Sequence, residues 1–596
     1  MKMSNIRKVD PRILFIGSHK RIIQSVLDFD FIAGKKTPSV SVIVAGGRKY
    51  EKYFFGTDEI LIPVFSSLEK IPEKLKKEIN YFYNVSSARR SLESSKAALH
   101  LPSLIAGSLF AENIPEKHSI LLAQKAIEEE ILLIGPSSVG LLVPGILKLG
   151  AVGGVEMHQL VDSNLFSPGS VAVFSSSGGM TNELIRVVVS RGKRVSFALS
   201  FGGDRFPLMT PREAFLMAED DKETNEIIYF GELGGQDEYE LVSLIEEKKI
   251  HKKVICYIGG VVADLFDTPP QFGHAKAMAK KKDESARAKR DALKKAGVMV
   301  GETFDEFVSL IGEKNDLKSD KEMIYTERMN SIAKRQSSLI TTTISHDEND
   351  DVKILGEDLL SFTDKSFARI VILLLLGRRE VTKQTEDFVD FVLRLLVDHG
   401  PYVSGAVNTI ITARAGRDLV SSLASGLLTI GPRFGGAINQ AAFNFLNGVK
   451  SNQSADEFVE LFAQKKEYIS GIGHKKYRID LPDPRVKKIL SFTNLLNEKK
   501  YTNFAQSIEK ITVSKKGNLI LNVDGAIAAV MLDMLAENEK YTSDELEDLV
   551  KIEFFNALFV LSRSVGFVSH FLDQKRLDEG LLRLTDKDVS YIEKND

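Results

Sequence analysis

Two histidines that directly follow a glycine, His274 and His474, have the setting best suited to chemistry. Glycine lacks the Cβ atom that would block a reactant, so a neighbouring imidazole can be approached closely. A neutral imidazole nitrogen is also a nucleophile that can carry a phosphoryl group. A structural role in a turn is the alternative for both residues, because a Gly-His pair alone carries little information.

Three glycine-rich turns precede His274, and each follows an apolar run typical of a strand. They are residues 175–179, 201–207 and 231–235. A strand, a Ser/Gly turn and a helix in succession present free backbone N–H groups and the positive end of a helix dipole. The first turn therefore predicts a phosphate site, with the binding residues Ser177, Gly178 and Gly179. A tight turn that merely needs glycine is the alternative.

The sequences around these turns and around His274 resemble a known family. The matching pieces are Ser177-Gly178-Gly179-Met180-Thr181-Asn182-Glu183, Gly231-Glu232-Leu233-Gly234-Gly235 and Phe272-Gly273-His274-Ala275. They are similar to the α subunit of succinyl-CoA synthetase and to the matching part of ATP-citrate lyase. The resemblance implies that His274 is phosphorylated in each turnover and that Glu232 hydrogen-bonds it. A carboxylate on one imidazole nitrogen raises the nucleophilicity of the other. Glu232 could instead be a solvated loop charge.

The first 150 residues read as an α/β domain. Apolar, strand-like runs at 12–18, 39–47, 60–65, 81–85 and 131–136 alternate with helical stretches, which favours a parallel doubly wound sheet. Ligands of such sheets bind at the carboxyl ends of the strands. Residues 134–140 resemble the CoA-binding domain of the synthetase, which implies a CoA site at Gly17, Ser18, Gly135, Pro136 and Ser137. The G-x-G-x-x-G fingerprint is absent, so a classical dinucleotide site is not supported. A sheet that binds nothing is the alternative.

From about Ser337 onward the periodicity is helical, and four pieces of this segment resemble citrate synthases. In chain order they are Asp398-His399-Gly400, Gly471-Ile472-Gly473-His474 with Asp483-Pro484-Arg485, Asn522-Val523-Asp524-Gly525 and Ser562-Arg563. Each piece is weak by itself, but all four occur in the family's order. The resemblance implies that His474 faces the tertiary hydroxyl of citryl-CoA and that Asp524 protonates the acetyl-CoA enolate. It also implies that His399, Arg485 and Arg563 hold substrate carboxylates.

One departure from citrate synthases affects the chemistry. Their second catalytic histidine, in Gly-Pro-x-His-Gly, is replaced by Phe434 in Gly431-Pro432-Arg433-Phe434-Gly435. Phenylalanine donates no hydrogen bond to an enolate oxygen, so another group or a water must do so. A plain citrate synthase is therefore disfavoured, whereas the ATP-citrate lyase family carries phenylalanine there too. For Asp524, a simple helix cap is the alternative to catalysis.

The order of the modules resembles ATP-citrate lyase. We expect an α/β N-terminal half, with a Rossmann-like CoA-binding domain (1–150) and a flavodoxin-like CoA-ligase domain (151–312). A linker (313–336) and an all-α citrate synthase-like domain (337–596) follow. The implied activity is that of an acyltransferase, which converts citrate, ATP and CoA to acetyl-CoA, oxaloacetate, ADP and phosphate. The implied intermediates are phosphohistidine, citryl phosphate and citryl-CoA.

The partners follow from the same resemblance. No ATP-grasp pattern precedes residue 12 or occurs elsewhere, so we expect a large subunit whose smaller partner supplies the ATP, Mg²⁺ and much of the citrate site. Citrate synthase modules form dimers, which implies self-association, with α4β4 as the expected assembly. The alternatives are a stand-alone citryl-CoA lyase or citrate synthase and a non-catalytic CoA-binding scaffold.

Composition and charge bear on whether the chain binds nucleic acid, enters a membrane or is secreted. The chain has 596 residues, 43% of them hydrophobic and 27% charged, with a net charge of −2, which gives no indication of nucleic-acid or membrane binding. The lone Cys256 lies in an apolar run, and no apolar signal segment follows Met1, so we expect a cytoplasmic protein. The apolar run 370–376 is far shorter than the ~20 residues that span a bilayer. The charged run 280–290 reads as a solvated helix face, and no metal site is expected.

Overall fold

A computed structural model describes residues 2–47, 49–266, 271, 277–279, 281–313, 321–348, 351–378, 380–431 and 434–594. The chain divides into two compact units, Met1–Leu339 and Ile340–Asp596. The first unit is α/β and the second is mostly helical, as the sequence predicts.

The first sheet of the N-terminal unit has seven strands in the order β3-β4-β2-β1-β5-β6-β7. Its pairs are parallel except for the antiparallel β3–β4 pair at one edge. The strands are β1 (Ile13–Ile16), β2 (Val40–Val44), β3 (Tyr50–Phe55), β4 (Asp58–Phe65), β5 (Tyr81–Asn84), β6 (Ala106–Leu109) and β7 (Leu132–Ile134). The helices are α1 (Met3–Ile6), α2 (Lys20–Ala33), α3 (Glu73–Glu78), α4 (Ala88–Leu99) and α5 (Glu116–Glu128).

The central strand β1 explains why the apolar runs of this sheet show no alternation. All four of its residues are buried, and Phe15 packs in one hydrophobic cluster while Leu14 packs in another. A parallel strand covered on both faces needs apolar side chains at every position.

The second sheet also has seven strands, in the order β14-β13-β12-β10-β11-β8-β9. They are β8 (Gly140–Val143), β9 (Leu147–Gly150), β10 (Val171–Ser175), β11 (Val195–Ser200), β12 (Glu226–Glu232), β13 (Lys253–Gly259) and β14 (Met299–Val300). The α-helices are α6 (Met157–Asp162), α7 (Gly178–Ser190), α8 (Pro211–Asp220), α9 (Asp237–Glu246), α10 (Ala286–Lys295), α11 (Phe304–Leu310) and α12 (Lys321–Ile332). Two 3-10 helices span Val261–Leu265 and Lys282–Glu284. Strands β10 to β14 are parallel, and β8 and β9 add antiparallel strands to the edge formed by β11.

Two features lie close to the predicted domain limits. Strands β8 and β9 precede residue 151 but pair within the second sheet. Helix α12 lies inside the predicted linker, where Arg328 Nη1 donates to Ile32 O of α2 at 2.8 Å. Just after this helix, Arg335 Nη1 pairs with Asp28 Oδ1 at 2.7 Å. The limits 1–150, 151–312, 313–336 and 337–596 remain predictions.

The second unit begins with a small antiparallel sheet and is otherwise helical. The strands are β15 (Ser345–Glu348), β16 (Asp351–Ile354) and β17 (Glu357–Asp358). The α-helices are α13 (Leu359–Thr363), α14 (Phe367–Leu376), α15 (Lys383–Leu395), α16 (Ser404–Arg414), α17 (Leu419–Leu427), α18 (Ala437–Lys450), α19 (Ala455–Lys465), α20 (Pro484–Leu490), α21 (Lys500–Lys515), α22 (Val523–Glu537), α23 (Ser543–Lys551) and α24 (Phe554–Arg576), with a 3-10 helix at Ser491–Leu495.

Helix α22 forms the centre of this unit. Every residue from Gly525 to Leu535 is buried, because α15, α18, α20, α21 and α23 surround the helix. A helix that is apolar on all sides is stable in water only when it is enclosed in this way. Its first turn, which carries Asp524, is the end that reaches the candidate site.

Helix α24 is long and apolar enough to cross a membrane by length and composition, the single such helix in the part of the chain that is described. It packs against α15, α16, α17 and α18 and carries the buried Arg563. The core helix of a folded helical domain has the same composition, so these contacts account for the apolar sequence.

Candidate active site

The predicted phosphate turn lies at the carboxyl edge of the second sheet. Ser177 is the N-cap of α7, and its Oγ accepts the N–H of Met180 at 3.4 Å. A Cβ on Gly178 would lie 2.5 Å from the Val139 side chain, whereas the nearest atom to a Cβ on Gly179 would be Ser177 Oγ at 3.9 Å. The turn thus combines close packing on one side with an accessible helix N-terminus on the other, the arrangement that binds anions.

Glu232 lies at the same edge, as the last residue of β12, which pairs directly with β10. Its side chain is half-buried, and its backbone carbonyl accepts a hydrogen bond from Lys289 Nζ at 2.8 Å. His274 lies outside the described residues, so its predicted contact with Glu232 stays a prediction.

Gly17 and Ser18 follow β1 at the carboxyl edge of the first sheet, next to the point where the strand order reverses between β1 and β5. Gly17 has a φ of +91°, and a Cβ there would lie 3.0 Å from Val85. Ser18 Oγ donates to Glu51 Oε2 at 2.8 Å. Open α/β sheets bind ligands at such a switch point.

The residues Gly135, Pro136 and Ser137 follow β7 and join the two sheets. Gly135 has a φ of +107°, and its carbonyl accepts the N–H of Leu208 at 2.7 Å. A Cβ on Gly202, in the second glycine-rich turn, would lie 1.7 Å from Pro136 O. The segment predicted to bind CoA therefore contacts the edge of the sheet that holds the predicted phosphate turn.

The five predicted site residues of the helical unit come together although they span more than 160 positions. His399 interacts electrostatically with Arg485 and Arg563, and His474 interacts with Arg485 and His399. Asp524 interacts with both arginines. His399 and His474 lie in the loops before α16 and α20, Arg485 and Asp524 lie in the first turns of α20 and α22, and Arg563 lies in the middle of α24. Two cations and two histidines around one carboxyl form a site for a polyanionic substrate.

The loop that carries His474 is fixed to the start of α22. Gly473 N donates to Ile520 O at 2.7 Å and Asn522 Nδ2 donates to Gly473 O at 3.0 Å. A Cβ on Gly471, whose φ is +90°, would lie 2.7 Å from Gly525 Cα. Only glycine allows this approach. The contacts explain why the two glycine-containing motifs that resemble citrate synthase must occur together.

Hydrogen bonds define the tautomer of His474. Its Nδ1 accepts the backbone N–H groups of Lys476 at 2.9 Å and Tyr477 at 3.0 Å. The neutral ring therefore carries its proton on Nε2. Nε2 is then the ring atom that meets a substrate oxygen, and in the neutral form it meets that oxygen as a donor.

Arg485 is oriented by an acidic neighbour. Its Nε donates to Asp483 Oδ1 at 3.0 Å and its Nη2 donates to Asp483 Oδ2 at 2.7 Å. The guanidinium also lies over the ring of Tyr477, with 5.8 Å between Cζ and the ring centroid. This fork leaves Nη1 to reach a substrate carboxylate.

Asp524 lies in the first turn of α22, and the cap of that helix is a different residue. Asn522 is the N-cap, and its Oδ1 accepts the N–H of Gly525 at 3.0 Å. Burial raises the pKa of Asp524, against the opposing effect of Arg485 and Arg563. A raised pKa favours the protonated carboxyl, which is the form that can give a proton to a carbanion.

Arg563 is buried with two donor atoms unused. Its Nε and Nη1 have no hydrogen-bond partner among the described residues, and its guanidinium lies 4.8 Å from the ring centroid of Phe559. Burial lowers the pKa of Arg563, against the effect of Asp398 and Asp524. A buried guanidinium without acceptors is costly for stability, which is expected where an anionic substrate completes the hydrogen bonds.

Because the buried guanidinium of Arg563 destabilises the fold, we expect Arg563→Met to have opposite effects on stability and activity. Losing an unsatisfied buried cation should stabilise the protein by about 1 kcal/mol, while kcat/KM for citryl-CoA falls about 10- to 100-fold. Thermal melting and steady-state kinetics measure the two effects. Arg378→Met is the control, because Arg378 also stacks on a ring (Tyr541) but donates to Glu539 O, so its loss should lower Tm. A lower Tm for Arg563→Met with unchanged kinetics would assign Arg563 to structure alone.

The two histidines predict the pH profile of citryl-CoA cleavage. Burial lowers the pKa of both from 6.5, and the positive charge of Arg485 lowers both further. Both rings thus stay neutral until the pH falls below 6.5. The fall in rate that protonation of these histidines causes should therefore be centred below pH 6.5 in a kcat profile measured with citryl-CoA. An acid limb centred above pH 6.5 would contradict this assignment.

Phe434 packs inside the helical unit. Its ring meets that of Phe559 edge to face, with 5.8 Å between centroids and planes at 90°. Arg563 stacks on the same Phe559 ring, so this aromatic pair forms part of the packing beside the arginine. Phe434 thus contributes to packing and has no hydrogen-bond donor for an enolate oxygen.

Three supporting residues were not predicted as site residues. Asp483 fixes Arg485, and Asp398 accepts the N–H of Gly400 at 3.0 Å and lies 3.2 Å from His570 Nε2. The backbone N–H groups of Gly400 and His399 outweigh partial burial and lower the pKa of Asp398. Both aspartates adjoin a predicted residue in the motifs, which was the available signal, whereas nothing in the sequence indicates His570.

Within the part of the chain that is described, no group of three histidine, cysteine, aspartate or glutamate side chains could hold a metal ion.

Comparisons with known proteins agree with this geometry. Residues 174–299 match the CoA-ligase family and residues 271–585 match the C-terminal domain of citrate synthase. The chain is 38% identical to ATP-citrate synthase beta chain protein 2 of Arabidopsis thaliana, over 97% of this chain and 98% of that one. It belongs to the ATP-citrate synthase (ATP-citrate lyase) family.

Solved structures of ATP-citrate lyases share this fold. The lyase of Methanothrix soehngenii in complex with citrate and coenzyme A is 32% identical, with a TM-score of 0.52 and 98% of both chains covered. An aspartate-to-alanine variant of the Methanosaeta concilii lyase, in complex with (3S)-citryl-CoA, has a TM-score of 0.51 at 32% identity. The chain spans about half the length of the ATP-citrate synthases of Caenorhabditis elegans and mouse that it matches. The predicted family and fold class are thereby confirmed.

Proposed function

We propose that this chain is the large subunit of an ATP-citrate lyase that acts in the cytoplasm with a smaller ATP-grasp subunit. The two would convert citrate, ATP and CoA to acetyl-CoA, oxaloacetate, ADP and phosphate. The observation that carries the proposal is the cluster of His399, His474, Arg485, Asp524 and Arg563 on the same chain as a phosphate turn. A citrate synthase needs no phosphate turn, and a scaffold needs no such cluster.

The α/β unit would perform the phosphate chemistry. The hydroxyl of Ser177 and the N–H groups of Gly178 and Gly179 would hold a phosphoryl group, and Glu232 would fix the tautomer of His274. CoA would bind along the carboxyl edge of the first sheet, from Gly17 and Ser18 to Gly135, Pro136 and Ser137. ATP and Mg²⁺ would be bound mainly by the partner subunit. The beta-chain name of the Arabidopsis relative supports a second chain.

The helical unit would cleave citryl-CoA. Arg485, Arg563 and His399 would hold the carboxylates, and His474 Nε2–H would donate a hydrogen bond to the tertiary hydroxyl oxygen, whose own proton would pass to water. The carbon–carbon bond would then break, with its electron pair passing into the thioester as an enolate. Asp524, with its raised pKa, would give its proton to the enolate carbon.

Self-association would use the face formed by α16, α17 and α24, which pack against one another. Each presents exposed apolar side chains, and the most exposed include Val420 (75%), Leu428 (86%) and Val565 (56%). A second copy of this face would cover them, because apolar surface of this kind marks an interaction site. An α4β4 assembly is the stoichiometry that we expect.

Labelled ATP tests the proposal. The chain should form acid-labile phosphohistidine when it is incubated with an ATP-grasp partner subunit and γ-labelled ATP, and it should cleave supplied citryl-CoA without ATP. Cleavage without phosphohistidine would indicate a stand-alone lyase. The absence of both activities in a folded protein would indicate a scaffold.

A further inference from the structure

A buried lysine holds the turn that follows β12. Lys289, on α10, has a fully buried side chain, and its ammonium makes three contacts. Nζ donates to Glu238 Oε2 at 2.5 Å, to Gly234 O at 2.5 Å and to Glu232 O at 2.8 Å. An ammonium has three N–H groups, so every donor of Lys289 is used and two of the three acceptors are backbone atoms of one turn.

Neighbouring groups fix the position of the Lys289–Glu238 ion pair and of the turn that packs on it. Glu238 is also buried, and its Oε1 accepts the hydroxyl of Tyr229 at 3.0 Å. A Cβ on Gly231 would lie 2.3 Å from that same Oε1, so the turn packs directly on the ion pair. Leu233 N donates to Gly259 O at 3.1 Å and Gly234 N donates to Glu284 O at 2.9 Å. The turn is therefore held by its carbonyl groups on one side and by its N–H groups on the other.

The burial of Lys289 was not predicted from the sequence. The charged run 280–290 predicts a solvated helix face, but Lys289 and the adjacent Arg290 are both buried. Arg290 Nε donates to Ile258 O at 3.0 Å, near the carboxyl end of β13. Two consecutive cations of α10 thus bind the carboxyl ends of the neighbouring strands β12 and β13.

We infer that Lys289 is a positioning residue for phosphoryl transfer: it fixes the turn 232–234 so that the Glu232 carboxylate is placed for His274. The inference rests on the proposed function. Lys289 itself touches no reacting atom and acts through the backbone of Glu232. Removing its ammonium leaves two buried carbonyl groups and the Glu238 carboxylate without their donor, so the turn must shift. Displacement of a positioned group by about 1 Å can lower a rate about 10²-fold.

The other end of β12 supplies a matched control. Lys193 is buried, pairs with Glu226 at the start of the strand and also donates to Ile311 O. Lys193→Met and Lys289→Met therefore each remove a buried lysine that binds one glutamate and at least one backbone carbonyl. The two variants differ in which end of β12 they release.

Two readouts on the full-length chain test the inference. Amide hydrogen exchange at Leu233 and Gly234 should accelerate in Lys289→Met and not in Lys193→Met. With the partner subunit and γ-labelled ATP, phosphohistidine should form about 10²-fold more slowly in Lys289→Met only, while both variants cleave supplied citryl-CoA normally. Unchanged exchange in Lys289→Met, or equal slowing in both variants, would overturn the inference.

A double variant separates positioning from stability. Lys289→Met combined with Glu238→Gln removes the unpaired buried charge, so it should regain thermal stability. It should not regain the phosphorylation rate, because the carbonyl groups of Glu232 and Gly234 still lack their donor. Recovery of stability and rate together would show a purely structural role. If the unmodified chain formed no phosphohistidine, the proposed function would fail, and amide exchange alone would decide whether Lys289 holds the turn.

Discussion

Replacing His274 by alanine should abolish ATP-dependent citrate cleavage and leave cleavage of supplied citryl-CoA nearly unchanged. The reason is that the residues proposed for phosphate chemistry and those proposed for carbon chemistry lie in different parts of the chain. The phosphate turn and Glu232 lie in the α/β unit, whereas the cluster around Asp524 lies in the helical unit. The measurement is a pair of assays on one protein preparation, one with citrate, ATP and CoA and one with citryl-CoA.

His251→Ala is the matched control for this experiment. His251 lies two residues before the start of β13, and it is exposed beside Glu219. Its loss should affect neither assay, because an exposed histidine paired with one carboxylate contributes little. Equal loss of both activities in His274→Ala would refute the separation of the two chemistries.

Replacing Asp524 by asparagine should lower citryl-CoA cleavage by about 10²–10⁴-fold, the range for a positioned proton donor. Asparagine keeps the size and polarity of the side chain but removes the transferable proton. Phosphorylation of His274 and formation of citryl-CoA should continue, so citryl-CoA should accumulate during turnover. Quenched reactions analysed by chromatography would measure the accumulated thioester.

Asp533→Asn is the control on the same helix. Asp533 lies nine residues further along α22, about 13 Å away at 1.5 Å per residue. Its two carboxylate oxygens accept the N–H groups of Tyr501 and Thr502, each at 2.9 Å, and thereby cap the start of α21. This variant should lose about 1 kcal/mol of stability and keep its rate per folded molecule. A folded Asp524→Asn protein with a normal cleavage rate would remove Asp524 from the mechanism.

Most strands of the two large sheets were predictable because burial on both faces selects continuous apolar runs. The runs at 12–18 and 81–85 correspond to β1 and β5, and the apolar run before the turn at 231–235 corresponds to β12. Strand β6 was missed. It reads Ala106-Gly107-Ser108-Leu109, and a Cβ on Gly107 would lie 2.2 Å from the ring of Phe82. Because β6 needs small residues to leave room for the Phe82 ring, its sequence lacks the continuous run of large apolar residues that predicts a buried strand.

The charge pattern gave a wrong prediction of exposure for Lys289 and Arg290, because tertiary contacts determine whether a charged side chain is buried. The residues next to Lys289 and Arg290 in the sequence are typical of a solvated helix. Only the folded structure shows that the two side chains donate to carbonyl oxygens at the ends of two strands. Site residues were predictable where a motif carried them, as for Arg485, and their partners were predictable only when adjacent in sequence, as for Asp483. His570 reaches Asp398 across 172 positions, a distance that no local pattern spans.

The sequence by itself determined the chemical groups and their order: a phosphate turn, a glycine-flanked histidine and four motifs that resemble citrate synthase. These follow from residue identity and local spacing, which the sequence states directly. The tertiary structure decided how those groups behave. It gave Asp524 a raised pKa through burial and placed the proton of neutral His474 on Nε2 through two backbone N–H groups. It also left two donor atoms of Arg563 without a hydrogen-bond partner among the described residues. Desolvation and hydrogen bonding depend on which distant segments enclose a group, and that information exists only once the chain has folded.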